Sequence, residues 1–238
     1  MRVIGVPRIA RVFDREAVRQ LRKEKVVTLG QSQVINGASL QRTADRGLYV
    51  VSLARTGCDE HFVTAPLLSG EQPGPLFERT AAALRDRGAA VVSMEVAGVP
   101  YEMAPLIEAF GPVAWPVTWL DRSPAAAAGG IHVWAVAGPA VTSIERAGVV
   151  TGTLFEDAWA TYCRVGGLVP ENHDAAPAIQ TVSILNAMES TLRDARMNFS
   201  DVVRTWFYNR DITAWYDQFN RARNRFFDRF TGLNEACE

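Results

Sequence analysis

Runs of β-branched and aromatic residues alternate with stretches of helical periodicity along most of this chain. The first clear run, LYVVSLA at residues 48–54, predicts a strand, and a weaker one follows at 61–67. Pro73, Gly74 and Pro75 punctuate the chain before LFERTAAALRDR (76–87), whose spacing predicts a helix stopped by Gly88. Valine-rich residues 89–96 predict a buried strand. Pro100 opens a short helix over 101–110, which Gly111 and Pro112 end, and strands are predicted at 114–120 and 131–137.

The second half repeats this order. Strands are predicted at 142–153 and 159–165, followed by a long helix that the Asp174 side chain is placed to cap. Its positions Ala178, Val182, Leu185, Met188 and Leu192 fall on one face. DVVRTWFYN (201–209) predicts a strand, and a final helix over 212–230 carries Ile212, Trp215, Tyr216, Phe219, Phe226 and Phe230 along one stripe, with its aromatics in the core. Leu84-Arg85-Asp86 and Leu192-Arg193-Asp194 each close a helix shortly before paired valines (Val91-Val92, Val202-Val203). The pattern divides the chain into an N-terminal basic segment (1–40) and two similar units (41–140 and 141–238). Strands interleaved with helices, and no Gly-rich phosphate turn, predict an α+β sandwich with helices on one face of mixed β-sheets.

Composition narrows the function classes. About half of the 238 residues are apolar and the formal net charge is −1, which disfavours a dedicated nucleic-acid binder. The charge is uneven: residues 1–30 hold eight basic side chains against three acids, leaving the remainder near −6. Such an arm is first of all a solvated surface. Three widely spaced cysteines (Cys58, Cys163, Cys237) do not make a disulfide framework. With no signal-like apolar region near Met1 and no run approaching the ~20 residues of a membrane span, a soluble cytoplasmic protein without a membrane partner is expected.

Over residues 157–227 the sequence resembles the Rid (YjgF-like) superfamily. The elements that carry the resemblance are Tyr162-Cys163-Arg164-Val165-Gly166-Gly167-Leu168-Val169-Pro170, the helix with Asn186-Ala187-Met188-Glu189, Asp201-Val202-Val203-Arg204-Thr205-Trp206-Phe207-Tyr208, and Trp215-Tyr216-Asp217-Gln218-Phe219-Asn220. The resemblance implies tandem Rid-like (chorismate-mutase-like) units. It also implies a homo-oligomeric, trimeric or pseudo-trimeric barrel-like core with helices outside and ligand clefts between units. Double-unit relatives include chorismatases, single-unit relatives hydrolyse reactive enamines and imines, and some members have been labelled ribonucleases (the endoribonuclease L-PSP type) or translation inhibitors. In the family two further strands follow the last helix and bring an arginine for the substrate carboxylate. Here only DRFTGLNEACE (228–238) follows, and residues 114–120 and 131–137 of the first unit contain neither arginine nor carboxylate. No catalytic residue is therefore assigned. An edge left open by such a second unit is expected to be covered, by residues 2–13 (RVIGVPRIARVF) or by a neighbouring subunit.

The residues themselves supply a candidate binding set. No Walker loop, G-x-G-x-x-G turn, G-x-S-x-G elbow or H-E-x-x-H pair occurs. Cys58 and His61 are close in sequence but lack the partners of a four-ligand zinc site. Gly166 and Gly167 can bring backbone amides close to an anion, or simply form a tight turn. Arg164 and Arg204 can hold a carboxylate in a bidentate fork, or pair with surface acids. Trp206 and Tyr208 share the face of Arg204 by period-two alternation, as a wall beside a ligand or as core or subunit-interface packing. These six residues predict a site for a small carboxylate-bearing metabolite, without metal or organic cofactor. Two functions compete: hydrolysis of an enamine, imine or enol-ether carboxylate, and non-catalytic ligand binding or assembly.

Overall fold

The computed structural model describes residues 33–35, 38–45, 47–99, 101–120 and 129–231. Its β-strands are β1 (Gln33–Ile35), β2 (Ala38–Asp45), β3 (Leu48–Arg55), β4 (Cys58–Pro66), β5 (Ala90–Ala97), β6 (Val117–Leu120), β7 (Gly130–Ala137), β8 (Thr142–Arg146), β9 (Val149–Glu156) and β10 (Thr161–Val165). Four α-helices lie among the described residues: α1 (Pro73–Arg85), α2 (Met103–Phe110), α3 (Pro177–Asp194) and α4 (Tyr216–Thr231). The α+β class is as expected.

β1–β7 form one mixed sheet in the order β1-β2-β3-β4-β7-β5-β6. β2, β3 and β4 make an antiparallel meander, α1 carries the chain over to β5, and α2 connects β5 to the parallel β6. β7 then returns between β4 and β5, antiparallel to both. β8, β9 and β10 form a second, antiparallel sheet in the order β10-β9-β8.

Period-two alternation sorts the first sheet into two faces. Val63 and Ala65 of β4 and Ile131, Val133 and Ala135 of β7 pack under Leu76, Phe77 and Leu84 of α1 and Leu106 of α2. Cys58 and Phe62 of β4 and Trp134 and Val136 of β7 point the other way, onto Phe155 of β9 and Tyr162 of β10. The second sheet covers its own far face with α3 and α4, through Cys163, Leu185, Leu192, Phe199 and Phe226. The result is four layers, helices outside and two sheets between.

Polar groups join the sheets where the apolar contact ends. A β-bulge between Val91 and Ser93 interrupts the β5–β7 register, and the Val92 carbonyl accepts a hydrogen bond from Thr153 Oγ1 of β9 at 2.7 Å. At one end of the interface Arg55 bridges Glu60 at 2.7 Å and Asp157 at 3.4 Å. Glu60 also accepts from Trp134 Nε1 at 3.1 Å, and Asp157 accepts from the Tyr162 hydroxyl at 2.9 Å. Burial pushes the Glu60 carboxyl up despite Arg55 and Trp134. Asp157 is held below its ordinary value: burial works against its charge, but the Trp159 and Ala160 amides, Tyr162 and Arg55 outweigh it.

Several sequence expectations need correction. Two strands, β1 and β2, precede the first one predicted, and β1 lies inside the segment 1–40. Residues 142–153 are not one strand. They belong to the hairpin β8–β9, which turns at Ala147 (φ 50°) and Gly148 (φ 77°), a two-residue loop of left-handed residues without the usual asparagine signal. Asp174 does not cap α3. Ala176 holds that place because Pro177 fixes the first helical residue. The buried face of α3 runs through Thr181, Leu185 and Leu192, while Val182 is exposed and Ala178 only partly covered. The last helix begins as a 3-10 turn at Ile212–Ala214, and Tyr216 is exposed; Phe219, Ala222 and Phe226 carry the burial.

The largest correction concerns residues 201–209, expected as a strand. A 3-10 turn, Phe199–Asp201, is fixed by reciprocal hydrogen bonds between Asn198 and Asp201. Beyond Val202, residues 203–209 make no backbone–backbone hydrogen bond among the described residues. The first sheet explains why. There β5, whose valine-rich run is of the same kind, is held between β7 and β6. Among the described residues no strand lies between β10 and residues 203–209, so the β-forming composition finds no partner. Residues 2–13, expected to cover an edge, lie outside the described residues.

Candidate functional site

A cavity of about 830 Å³ occupies the gap between β10 and residues 203–209. Arg164, Gly166, Gly167, Arg204, Trp206 and Tyr208, the six candidate binding residues, all line it. Ile184, Met188 and Leu192 of α3 give it an apolar wall, and Val117–Leu120 of β6 close it on the side of the first sheet.

Register on β10 aims Arg164 at the first sheet. Arg164 pairs with Thr153 on β9, one step from the Tyr162–Phe155 pair that packs against Trp134, so it projects into the layer between the sheets. There its guanidinium meets Glu95 of β5 at 2.6 Å, with both side chains largely buried (13% and 14% exposed). The ordinary surface pairing considered from sequence is thus replaced by a buried bridge between the two sheets. Arg164 Nε is buried and has no hydrogen-bond partner.

Glu95 belongs to a polar row that sequence reasoning missed. Cross-strand pairing sets Thr64, His132, Glu95 and Thr118 side by side on β4, β7, β5 and β6. Thr64 Oγ1 and His132 Nδ1 are 3.1 Å apart. Burial lowers the His132 pKa, and Glu95 and Arg164 act on it in opposite directions. Imidazole rather than imidazolium is therefore favoured near neutral pH. A visible signal existed: Glu95 interrupts the apolar run AVVSMEVA, and a carboxylate within a buried strand needs a partner.

The glycine pair has a definite structural job. Gly167 adopts φ +67°, and a Cβ there would lie 2.8 Å from the Val117 carbonyl oxygen. Its amide donates to Thr118 Oγ1 at 3.0 Å. The turn locks β10 against β6, so this amide is already used and is no free anion donor. Gly166 N likewise donates to the Thr151 carbonyl at 3.1 Å.

Arg204 is differently placed. Its Cζ lies 4.0 Å from the centre of the Trp206 ring, as period-two alternation predicts, and it has no ion-pair partner among the described residues. Trp206 and Tyr208 border the cavity and are exposed at 43% and 55%, so they are not core. Phe207 points the other way, onto Phe219 of α4 at 5.2 Å. Burial raises the Tyr208 pKa, as does nearby Glu95, against the opposing effect of Arg164. The neutral phenol is thus a hydrogen-bond donor across the working pH range. Cys163 also borders the cavity, but burial pushes its thiol up to about 12, which makes it a poor nucleophile.

Two of the other sequence candidates play structural parts. Cys58 is buried beside Arg55, and its thiol is raised by burial. His61 Nδ1 is 2.9 Å from Ser52 Oγ, a contact between paired strands. Among the described residues no group of three or more His, Cys, Asp or Glu is placed to hold a metal ion, and no helix is long and apolar enough to cross a membrane. No family model matches the chain, and no curated protein matches it at a significant level.

Proposed function

We propose that this chain is a two-unit protein of Rid type that binds a small carboxylate-bearing metabolite in the cavity between β10 and residues 203–209. The convergence of Arg204, Trp206 and Tyr208 on one wall of this cavity carries this reading. Arg204 is the cation available for the ligand, because Arg164 is committed to Glu95. The Trp206 and Tyr208 rings suit a flat, unsaturated ligand, and the α3 side chains receive its apolar part.

The order of elements supports the family reading. Strands β2–β4, α1, β5, α2 and strands β6–β7 give the first unit the two strands that follow the last helix in relatives. Strands β8–β10, α3, residues 203–209 and α4 follow that order up to the same point. The trimeric or pseudo-trimeric assembly is part of the same proposal and is read from the mass of the native particle in solution.

Glu95 and His132 favour a second reading, hydrolysis of an enamine, imine or enol-ether carboxylate. A carboxylate at the cavity wall backed by a neutral imidazole can orient and deprotonate a water molecule. Ligand-induced thermal shift with chorismate and pyruvate, run beside turnover assays with chorismate and 2-aminoacrylate, separates the two. Binding without turnover selects the ligand-binding protein, and turnover that Glu95→Gln abolishes selects the hydrolase. No shift and no turnover with any of the three compounds would remove both.

A further inference from the structure

A second concave surface lies between α3 and α4, with a volume of about 1110 Å³. Its floor is apolar, formed by Ala178 and Val182 of α3 and Ala222 and Phe226 of α4. Val182 and the neighbouring Ile179 are exposed at 39% and 62%. The two helices run side by side in the same direction. Arg229 bridges Glu189 at 3.1 Å, and Phe226 and Phe230 pack on Phe199, just beyond the end of α3. Charge is divided along this surface. Glu171, Asp174 and Asp217 lie at the N-terminal end of the helix pair, and Arg221 and Arg225 follow toward the C-terminal end. None of these five makes an ion pair among the described residues.

We propose that a second copy of the chain occupies this groove, the two pairs of helices closing a four-helix bundle about a two-fold axis. The division of charge selects the sense of the pairing. An axis that crosses the helices reverses the second pair, so the arginine end of each copy lies over the acidic end of the other. An axis along the helices would instead set like charges level with one another, where they repel. With Arg229 level with Glu189, Phe219 of α4 stands level with Ile179 of α3. About an axis at that level Arg221 lies ~3 Å to one side and Asp217 ~3 Å to the other, so each Arg221 meets Asp217 of the other copy. Arg225 lies ~9 Å out, toward the end where the other copy carries Asp174 and Glu171. Ile179 and Val182 leave water against the same stripe of the second copy, at the middle of the seam. The bundle takes none of the side chains that line the ligand cavity. Alone it makes a particle of two chains, and together with the trimeric core proposed above one of six.

Sedimentation velocity of the whole chain, from micromolar to hundred-micromolar concentration and at low and high salt, tests the pairing. The expected particle has an even number of chains, and its dissociation constant rises several-fold in high salt. Val182→Asp weakens association tenfold or more. Arg221→Asp alone or Asp217→Arg alone weakens it several-fold, and the two exchanges together in one chain restore it. All three positions are exposed, so far-UV circular dichroism is expected to show each variant folded. A chain that stays monomeric at every concentration would leave the groove to a different protein and overturn the pairing. A particle of three chains, association indifferent to Val182→Asp, single charge exchanges without effect, or a double exchange that fails to restore association would each overturn it as well.

Discussion

Arg164 and Arg204 carry the same charge but do different work. Arg164 sits between sheets, tied to Glu95, so its removal leaves a buried carboxylate without a partner. Arg204 lies over Trp206 in the open wall and makes no ion pair among the described residues, so its loss would touch the proposed ligand and little else. Arg204→Ala is therefore expected to weaken carboxylate binding about tenfold or more, the ~1.5–3 kcal/mol of a charge-assisted hydrogen bond, with an unchanged urea midpoint. Gly167→Ala is expected to do the reverse and destabilise the fold by ~1–3 kcal/mol, read from urea unfolding, because it strains φ +67° and crowds the Val117 carbonyl. The histidines set a pH dependence. Burial lowers both His61 and His132, so the unfolded chain binds protons that the folded chain refuses. Their contribution to stability is complete above the unfolded value of ~6.5 and declines as pH falls below it toward the lower folded values. Replacement of both by glutamine is expected to flatten that part of a stability–pH curve.

At the scale of elements, composition located most of the strands and helices because each buries one clear face. It could not show whether a strand finds neighbours. Residues 203–209 have the valine and aromatics of a strand, but a ladder needs adjacent backbone, which local sequence does not encode. The same limit applies to the site. Arg164, Arg204, Trp206 and Tyr208 were legible as residue types on neighbouring segments. Glu95 and His132 were not, because cross-strand register between distant segments brings them to Arg164. The unpaired segment also predicts a measurement. Amides of residues 203–209 are expected to exchange with solvent orders of magnitude faster than those of β9, which is paired on both sides. A ligand across the gap should slow exchange at Arg204–Tyr208 selectively.

At the scale of the molecule, two sheets face each other and each is sealed outside by its own pair of helices. Apolar packing around Trp134, Phe155 and Tyr162 holds the centre, and two ion-pair clusters mark its ends: Arg55 with Glu60 and Asp157, and Arg164 with Glu95. Truncation at Arg55 would strand Glu60, which is 6% exposed, and is expected to cost on the order of 3 kcal/mol in urea unfolding. Glu60→Gln should cost less, since the amide can still accept from Trp134 and carries no charge. The gap beside β10 is a cavity of about 830 Å³, to which the proposed ligand is assigned. Titration of the protein with chorismate, followed by isothermal calorimetry and repeated with Arg204→Ala, tests that assignment most directly. The account predicts saturable binding at one site per chain, weakened about tenfold or more by the substitution. Absence of saturable binding, or equal affinity in the two proteins, would contradict it.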